Sequence, residues 1–200
     1  GRAMAEAATQ AQTGMSAVVG GVEADVLARL AELDLTPANY NGAGQIVAAG
    51  DLVALAALSA EAPRGTRVVP LQVAGAFHTR YMEPARAALQ AAVDELNASG
   101  AVADPSTTLW TNSDGTTVAS GARALELLVG QVASPVRWDL CMQSFADSNI
   151  TGLVELTPGG TLVGLAKRAL RGVPAVAVKT PEDLSAAVAL LTDGAPKETS

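Results

Sequence analysis

An α/β fold is what this sequence of 200 residues predicts: helices on a parallel sheet, with a split βαβ, ferredoxin-like unit near its start. Three observations predict it. Short aliphatic runs bounded by glycine alternate with segments of helical periodicity. The order over residues 15–71 reads β-α-β-β-α-β, the pattern of a split βαβ unit. Hydrophobic residues make up 49% and aromatics only 3%, so Ala, Val and Leu must carry the core, which suits helices packed on a sheet.

Residues 3–12 read as helix because alanine dominates them, with Gly14 as the stop. Residues 15–19 form a short apolar run ended by Gly20-Gly21, hence a strand. Val26, Leu27 and Leu30 share one helical face over 23–33. Residues 38–40 and 45–49 read as strands joined by the turn Asn41-Gly42-Ala43-Gly44. Asp51 is placed to cap a helix burying Leu52, Leu55, Ala56 and Leu58, and 66–71 is the next strand. From Tyr81 the pattern changes, and Met82, Ala85, Leu89, Ala92, Val93 and Leu96 follow helical spacing over four turns. A strand at 107–111 precedes a helix at 122–132 with Leu125, Leu128 and Val129 inward. Pro135 fits the first turn of a helix reaching about Ser148. Strands at 152–156 and 175–178 flank a helix at 161–170. Thr180-Pro181-Glu182-Asp183 opens the last helix as a capping box. The expected divisions are a helix of the larger domain at 1–13, the small subdomain at 14–72, the rest of the larger domain at 73–192, and a flexible tail at 193–200. Only three strands remain to build the parallel sheet. With a chain that opens on Gly1 rather than Met, this suggests that first strands lie elsewhere.

A net charge of −7 repels polyanions and argues against nucleic acid. Lys167, Arg168 and Arg171 cluster, but they close a helix, where cations complement exposed carbonyls. The one cysteine, Cys141, excludes an internal disulfide and fits a reducing, cytoplasmic setting. No apolar run is long enough to span a bilayer, and one His with one Cys gives no recognisable metal site.

His78 is the only histidine. It stands between a strand and a long helix, where α/β folds hold reacting groups and an imidazole can serve as general base. A structural role is the alternative. No G-x-S-x-G turn is present to hold a serine nucleophile. The nearest approach, Gly14-Met15-Ser16-Ala17-Val18, fails at the second glycine, and Ser16 reads as a strand residue. Cys141 lies in a helix interior, where a thiol behaves as a small apolar group. Pro158-Gly159-Gly160-Thr161 precedes a helix and could hold an anion there, or be a tight structural turn.

Four blocks resemble one family, the malonyl-CoA:acyl-carrier-protein transacylases. Asn39-Tyr40-Asn41-Gly42-Ala43-Gly44-Gln45-Ile46-Val47 is similar to their N-x-N-x-x-G-Q-x-V segment. Gly75-Ala76-Phe77-His78 centres a stretch, 68–84, similar to the one around their catalytic histidine. Residues 128–138 resemble L-V-x-Q-x-x-x-P-V-x-W, and 155–162 resemble E-x-x-P-G-x-x-L. The resemblance implies an α/β-hydrolase-like core, only part of which is present, with an inserted ferredoxin-like subdomain. It implies transfer of malonyl from coenzyme A to the phosphopantetheine thiol of acyl carrier protein through a malonyl-serine ester, with no cofactor besides the thioester substrate. In that family His78 matches the base, Gln131 the residue whose main-chain carbonyl orients the imidazole, and Phe77 a position linked to malonyl selection. Asn39, Asn41 and Gln45 fall near the substrate cleft. The family's G-H-S-x-G turn, its oxyanion segment and its carboxylate-clamping arginine would precede Gly1, and Arg2 is offset from that arginine. The chain alone is therefore expected to be inactive. The alternatives are an acyltransferase domain of a polyketide synthase and a non-catalytic module that binds the carrier or coenzyme A.

Overall fold

A computed structural model describes residues 1–193. Of the expected tail, 194–200 lie outside the described residues. The chain divides into two compact units, residues 1–141 and 142 onward.

In the first unit, α1 (Arg2–Ala8) leads to β1 (Thr13–Gly20), α2 (Glu23–Glu32), β2 (Thr36–Gly42), β3 (Gln45–Asp51), α3 (Leu52–Ala60) and β4 (Thr66–Pro70). The sheet order is β4-β1-β3-β2, all antiparallel, and β5 (Val136–Arg137) adds to β2 in parallel. The β2–β3 hairpin closes through Ala43 and Gly44, both at positive φ (48° and 73°), the twist that suits a two-residue hairpin. Asp51 ends β3 and caps α3, its Oδ1 accepting the Val53 N–H at 2.7 Å.

Alternation gives the sheet two apolar faces. One carries Val18, Ile46 and Ala48 and packs on α2 and α3 through Val26, Leu30, Leu55 and Leu58. The other carries Met15, Val47 and Ala49 and packs on Ala76, Phe77 and Tyr81. That second face seats the segment leading from β4 into a short 3₁₀ turn (Arg80–Met82) and α4 (Glu83–Ala98). Helix α4 packs on α1 and on α5 (Gly121–Gln131).

Several sequence expectations are corrected. The first helix stops at Ala8, not near Gly14, because Thr13 and Gly14 enter the ladder opposite Asp51 and Gly50. Residues 107–111 form no strand. Trp110 makes an isolated bridge to Thr117, and the chain reverses at Asp114-Gly115, where Asp114 accepts from the Thr116 N–H and hydroxyl. Pro135 does not start a helix, since Val136 and Arg137 pair with β2 and α6 (Trp138–Asp147) begins after them. Leu52 and Ala56 are exposed. Helix α3 is apolar all round, so its periodicity could not choose the buried side, and those two line an open cavity of about 670 Å³ with Met15 and Leu71. Ala92 and Leu96 are exposed because α4, at 16 residues, outruns the 7-residue α1. Leu128 is 56% exposed, at the rim of a small cleft with Leu109 and Trp110.

The second unit contains β6 (Leu153–Glu155), α7 (Thr161–Ala169), β7 (Ala175–Ala177) and α8 (Leu184–Asp193). β6 and β7 pair in parallel, so two strands stand here where a three-stranded sheet was expected. Lys167 and Arg168 close α7, as its carbonyl end favours. Asp183 accepts the Lys179 and Thr180 N–H groups and so caps the last helix. Among the described residues no helix is long and apolar enough to cross a membrane, and no group of three His, Cys, Asp or Glu could hold a metal.

Candidate active site

The segment 75–79 is bound at almost every position. Gly75 lies against α1, where an added Cβ would stand 2.9 Å from Ala8 Cβ and 3.3 Å from Ala8 Cα. Ala76 N–H donates to Thr13 Oγ1 at 3.1 Å. Thr79, 1% exposed, donates its hydroxyl to the Ala76 carbonyl at 2.7 Å and accepts the Tyr81 N–H at 3.2 Å. These bonds hold His78 at φ 60°, a left-handed conformation that costs a residue with Cβ roughly 1 kcal/mol or more. Such strain persists where the surroundings over-determine it.

The His78 ring is half-buried and its Nδ1 lies 2.9 Å from the Gln131 carbonyl oxygen. A carbonyl only accepts, so Nδ1 carries the proton and neutral His78 keeps its lone pair on Nε2. Nε2 has no partner among the described residues. The pair is therefore an oriented base with its accepting nitrogen available, the geometry in which imidazole removes a hydroxyl proton.

Gln131 ends α5 and is 7% exposed. Its Nε2 donates to the carbonyls of Ser134 (2.8 Å) and Pro135 (2.9 Å), while its Oε1 is buried without a partner. Phe77 joins two clusters, packing with Ala76 on the sheet face and with Ala8, Met82 and Val132 beside α1. Asn39 pairs with Val47 in the ladder and so shares the face that seats the histidine segment. Gln45, two residues before Val47, shares it by alternation. Asn41 is half-buried beside the register shift between Tyr40 and Gly42, which interrupts alternation there. The structure thus brings Phe77, His78 and Gln131 together, and sets Asn39 and Gln45 on the adjoining sheet face.

The other candidates are placed elsewhere. Ser16 is 2% exposed and pairs with Ala48, so it faces α2 and α3 from the far side of the sheet. Burial pushes the Cys141 thiol up to about 11, helped by Asp139 and Asp114, and its Sγ contacts the Thr111 carbonyl. It is no thiolate nucleophile. Arg2 is exposed at the start of α1. Arg137 is committed, forking Asp139 with bonds of 2.9 and 2.7 Å and stacking 4.7 Å over the Tyr40 ring. The turn at 158–161 binds an anion already. Glu155 accepts the N–H groups of Gly160 (2.7 Å), Leu162 (3.0 Å) and Val163 (2.9 Å) at the start of α7. That turn is structural.

Sequence reading missed Thr13 and Thr79, which hold the histidine loop. A hydroxyl residue directly after the lone histidine was a usable signal, since Thr readily bonds its own turn. Thr13 had none, because its bond spans 63 residues.

No family model matches the chain. A curated malonyl CoA-acyl carrier protein transacylase of Mycobacterium tuberculosis is 54% identical over 184 residues, 92% of this chain and 60% of the relative. The crystal structure of the transacylase from Mycobacterium tuberculosis superposes with a TM-score of 0.87 at 53% identity, covering 93% of this chain and 60% of its own. A type II polyketide acyl-carrier protein in complex with its malonyl-transacylase gives a TM-score of 0.82 at 26% identity, covering 96% and 62%. The chain thus spans about three fifths of the length of the relatives it matches.

Proposed function

The chain belongs to the malonyl CoA-acyl carrier protein transacylase family, and from that premise we propose that it supplies the general base for malonyl transfer from coenzyme A to the phosphopantetheine thiol of an acyl carrier protein. The observation that carries this is the 2.9 Å bond from His78 Nδ1 to the Gln131 carbonyl, which leaves Nε2 able to accept a proton. In this reading β1–β4 with α2 and α3 are the ferredoxin-like insert of an α/β-hydrolase-like core, a view supported by the strand order β4-β1-β3-β2.

The chemistry runs in two halves. His78 Nε2 takes the proton of a serine hydroxyl as its oxygen adds to the malonyl thioester carbonyl. The imidazolium then returns that proton to the departing coenzyme A thiolate, leaving malonyl-serine. The carrier thiol next gives its proton to Nε2 and attacks the ester, and serine recovers the proton as it leaves. The Gln131 carbonyl stabilises the imidazolium at each stage, as a carboxylate does in the Ser-His-Asp arrangement. The serine is not among these 200 residues in a G-x-S-x-G setting, so a segment outside them provides it. Phe77, against the histidine, borders the malonyl group, and Asn39, Asn41 and Gln45 line the approach of the pantetheine arm. The reaction uses no cofactor or metal beyond the thioester substrate and takes place in the cytoplasm. The carrier serves fatty-acid or polyketide synthesis, the second being the setting of one structural neighbour, a polyketide carrier bound to its malonyl-transacylase.

The test is a radiolabelled malonyl transfer assay on the 200-residue chain, and on the same chain fused behind the part of the Mycobacterium tuberculosis relative that it does not match. The chain alone gives no labelled carrier and the fusion does. His78→Ala lowers the fusion's kcat by about 10²- to 10⁴-fold, the usual contribution of a general base. Turnover by the chain alone, or a fusion indifferent to His78→Ala, overturns the reading.

A further inference from the structure

We propose that Pro135 and the side-chain amide of Gln131 are positioning residues that reserve the Gln131 carbonyl for His78, and so fix which imidazole nitrogen is the base. The inference rests on the functional reading above and supplies a cause for its central bond.

In a continuing α-helix the carbonyl of residue i accepts the N–H of residue i+4. For Gln131 that donor would come from residue 135, which is proline and has none. Proline also disfavours helical geometry at the residue before it, consistent with a helix that ends at Gln131. The carbonyl keeps only a long contact with the Ser134 N–H at 3.4 Å, against 2.9 Å to His78 Nδ1. The missing N–H therefore leaves an acceptor pointing out of the helix end, and His78 takes it.

The Gln131 side chain fixes the direction of that acceptor. Its two amide hydrogens go to the carbonyls of Ser134 and Pro135, which ties the post-helical turn back onto the residue whose own carbonyl is in use. The reversed amide would set Oε1 against two carbonyl oxygens, so the orientation is settled by chemistry. The arrangement leaves Oε1 buried without a partner, a cost that the two Nε2 bonds offset. One segment, 131–135, thus both withholds the helical donor and braces the carbonyl it has released.

His78 is the only histidine, so a ¹⁵N-labelled sample of the full chain gives a single imidazole spin system whose tautomer is read directly from its nitrogen shifts and long-range proton couplings. The wild-type chain shows Nδ1–H as the dominant neutral form. Pro135→Ala restores an N–H four residues after Gln131, and Gln131→Met removes the brace while keeping length and the main-chain carbonyl. Each variant lowers the Nδ1–H to Nε2–H ratio about fivefold, the factor that one ordinary hydrogen bond supports. Amide spectra that superpose away from 131–136 and 75–79 show that the variants fold, and the tautomer ratio is a signature that loss of packing alone does not move. A Nδ1–H ratio unchanged in both folded variants overturns this inference and leaves the function standing. If either variant fails to fold, the other decides. A wild-type His78 in the Nε2–H form overturns the functional reading as well.

Discussion

Two loops of this molecule carry glycine next to a helix start, and they use their polar groups in opposite ways. At 156–160 the conspicuous Pro-Gly-Gly turn is chemically closed, because the buried Glu155 carboxylate (7% exposed) takes three N–H groups around the start of α7. At 75–79 the loop is tied down by Thr13 and Thr79, but among the described residues one ring nitrogen of the residue it presents is left without a partner. The first loop meets every need internally and has nothing to offer a ligand. The second holds strain at His78 and keeps one acceptor open. Saturation, rather than glycine content, separates the structural turn from the reactive one.

The strongest test of that contrast is Glu155→Gln. The variant puts an amide NH₂ where an oxygen now accepts, leaving at least one buried N–H unpaired and removing the charge from the bonds that remain. The expected cost is about 3 kcal/mol, measured as a fall in the urea midpoint at pH 7 with unchanged slope. A loss under roughly 0.5 kcal/mol, the scale of an ordinary surface substitution, would mean that the turn does not depend on this carboxylate. The same residue has a pH signature. Burial alone would raise the Glu155 carboxyl, but the N–H groups of Val163, Leu162 and Gly160, with Lys179, hold it below its ordinary value of 4.5. A depressed native value means that the unfolded chain binds the proton first. The stabilisation is therefore complete above that ordinary value and drains away as pH falls through the native one. The wild-type chain loses stability over that acid range, and Glu155→Gln removes this residue's share of the slope.

A smaller effect separates number and burial of bonds from mere helix capping. Asp51 caps α3 with one bond to the Val53 N–H and is exposed. Asp51→Ala is expected to cost about 1 kcal/mol, a typical N-cap value, clearly below the figure for Glu155→Gln. Equal losses in the two urea titrations would show that burial adds nothing at Glu155.

Much of this was legible in the sequence, and what was not has physical reasons. The β-α-β-β-α-β order, the Asn41–Gly44 reversal, the Asp51 cap and the Thr180 capping box are local patterns, and each is present. The failures came where distant partners decided. Thr13 was drawn into a strand by β3, and Val136 and Arg137 were taken by the open edge of β2. Leu52 and Leu128 sit in segments where apolar residues exceed the buried positions available, so periodicity could not say which would face solvent. At the site, His78 stood out as the lone histidine between a strand and a helix, but Gln131 was named only through a resemblance, since nothing in a single chain announces a bond across 53 residues. Pro135, four residues after Gln131, was in plain view but read as a helix start, because its lack of an N–H matters only once the carbonyl it would have occupied is seen to serve elsewhere.

The smallest expected change belongs to the residue with the largest chemical role. His78→Gly gives up the Nδ1 bond to Gln131, about 1 kcal/mol. It also relieves the left-handed backbone at φ 60°, worth roughly as much in the other direction. Glycine's freer unfolded chain takes back about 0.5–1 kcal/mol. The terms nearly cancel, so the urea midpoint of the 200-residue chain should move by the equivalent of no more than about 1 kcal/mol, while the fusion in the transfer assay loses its base. A side chain that contributes little to folding yet is held at a costly dihedral by three neighbouring hydrogen bonds is held for what its open nitrogen does. A loss of 3 kcal/mol or more on His78→Gly would show the opposite, that the imidazole braces α5 as Glu155 braces α7, and the distinction between the two loops would disappear.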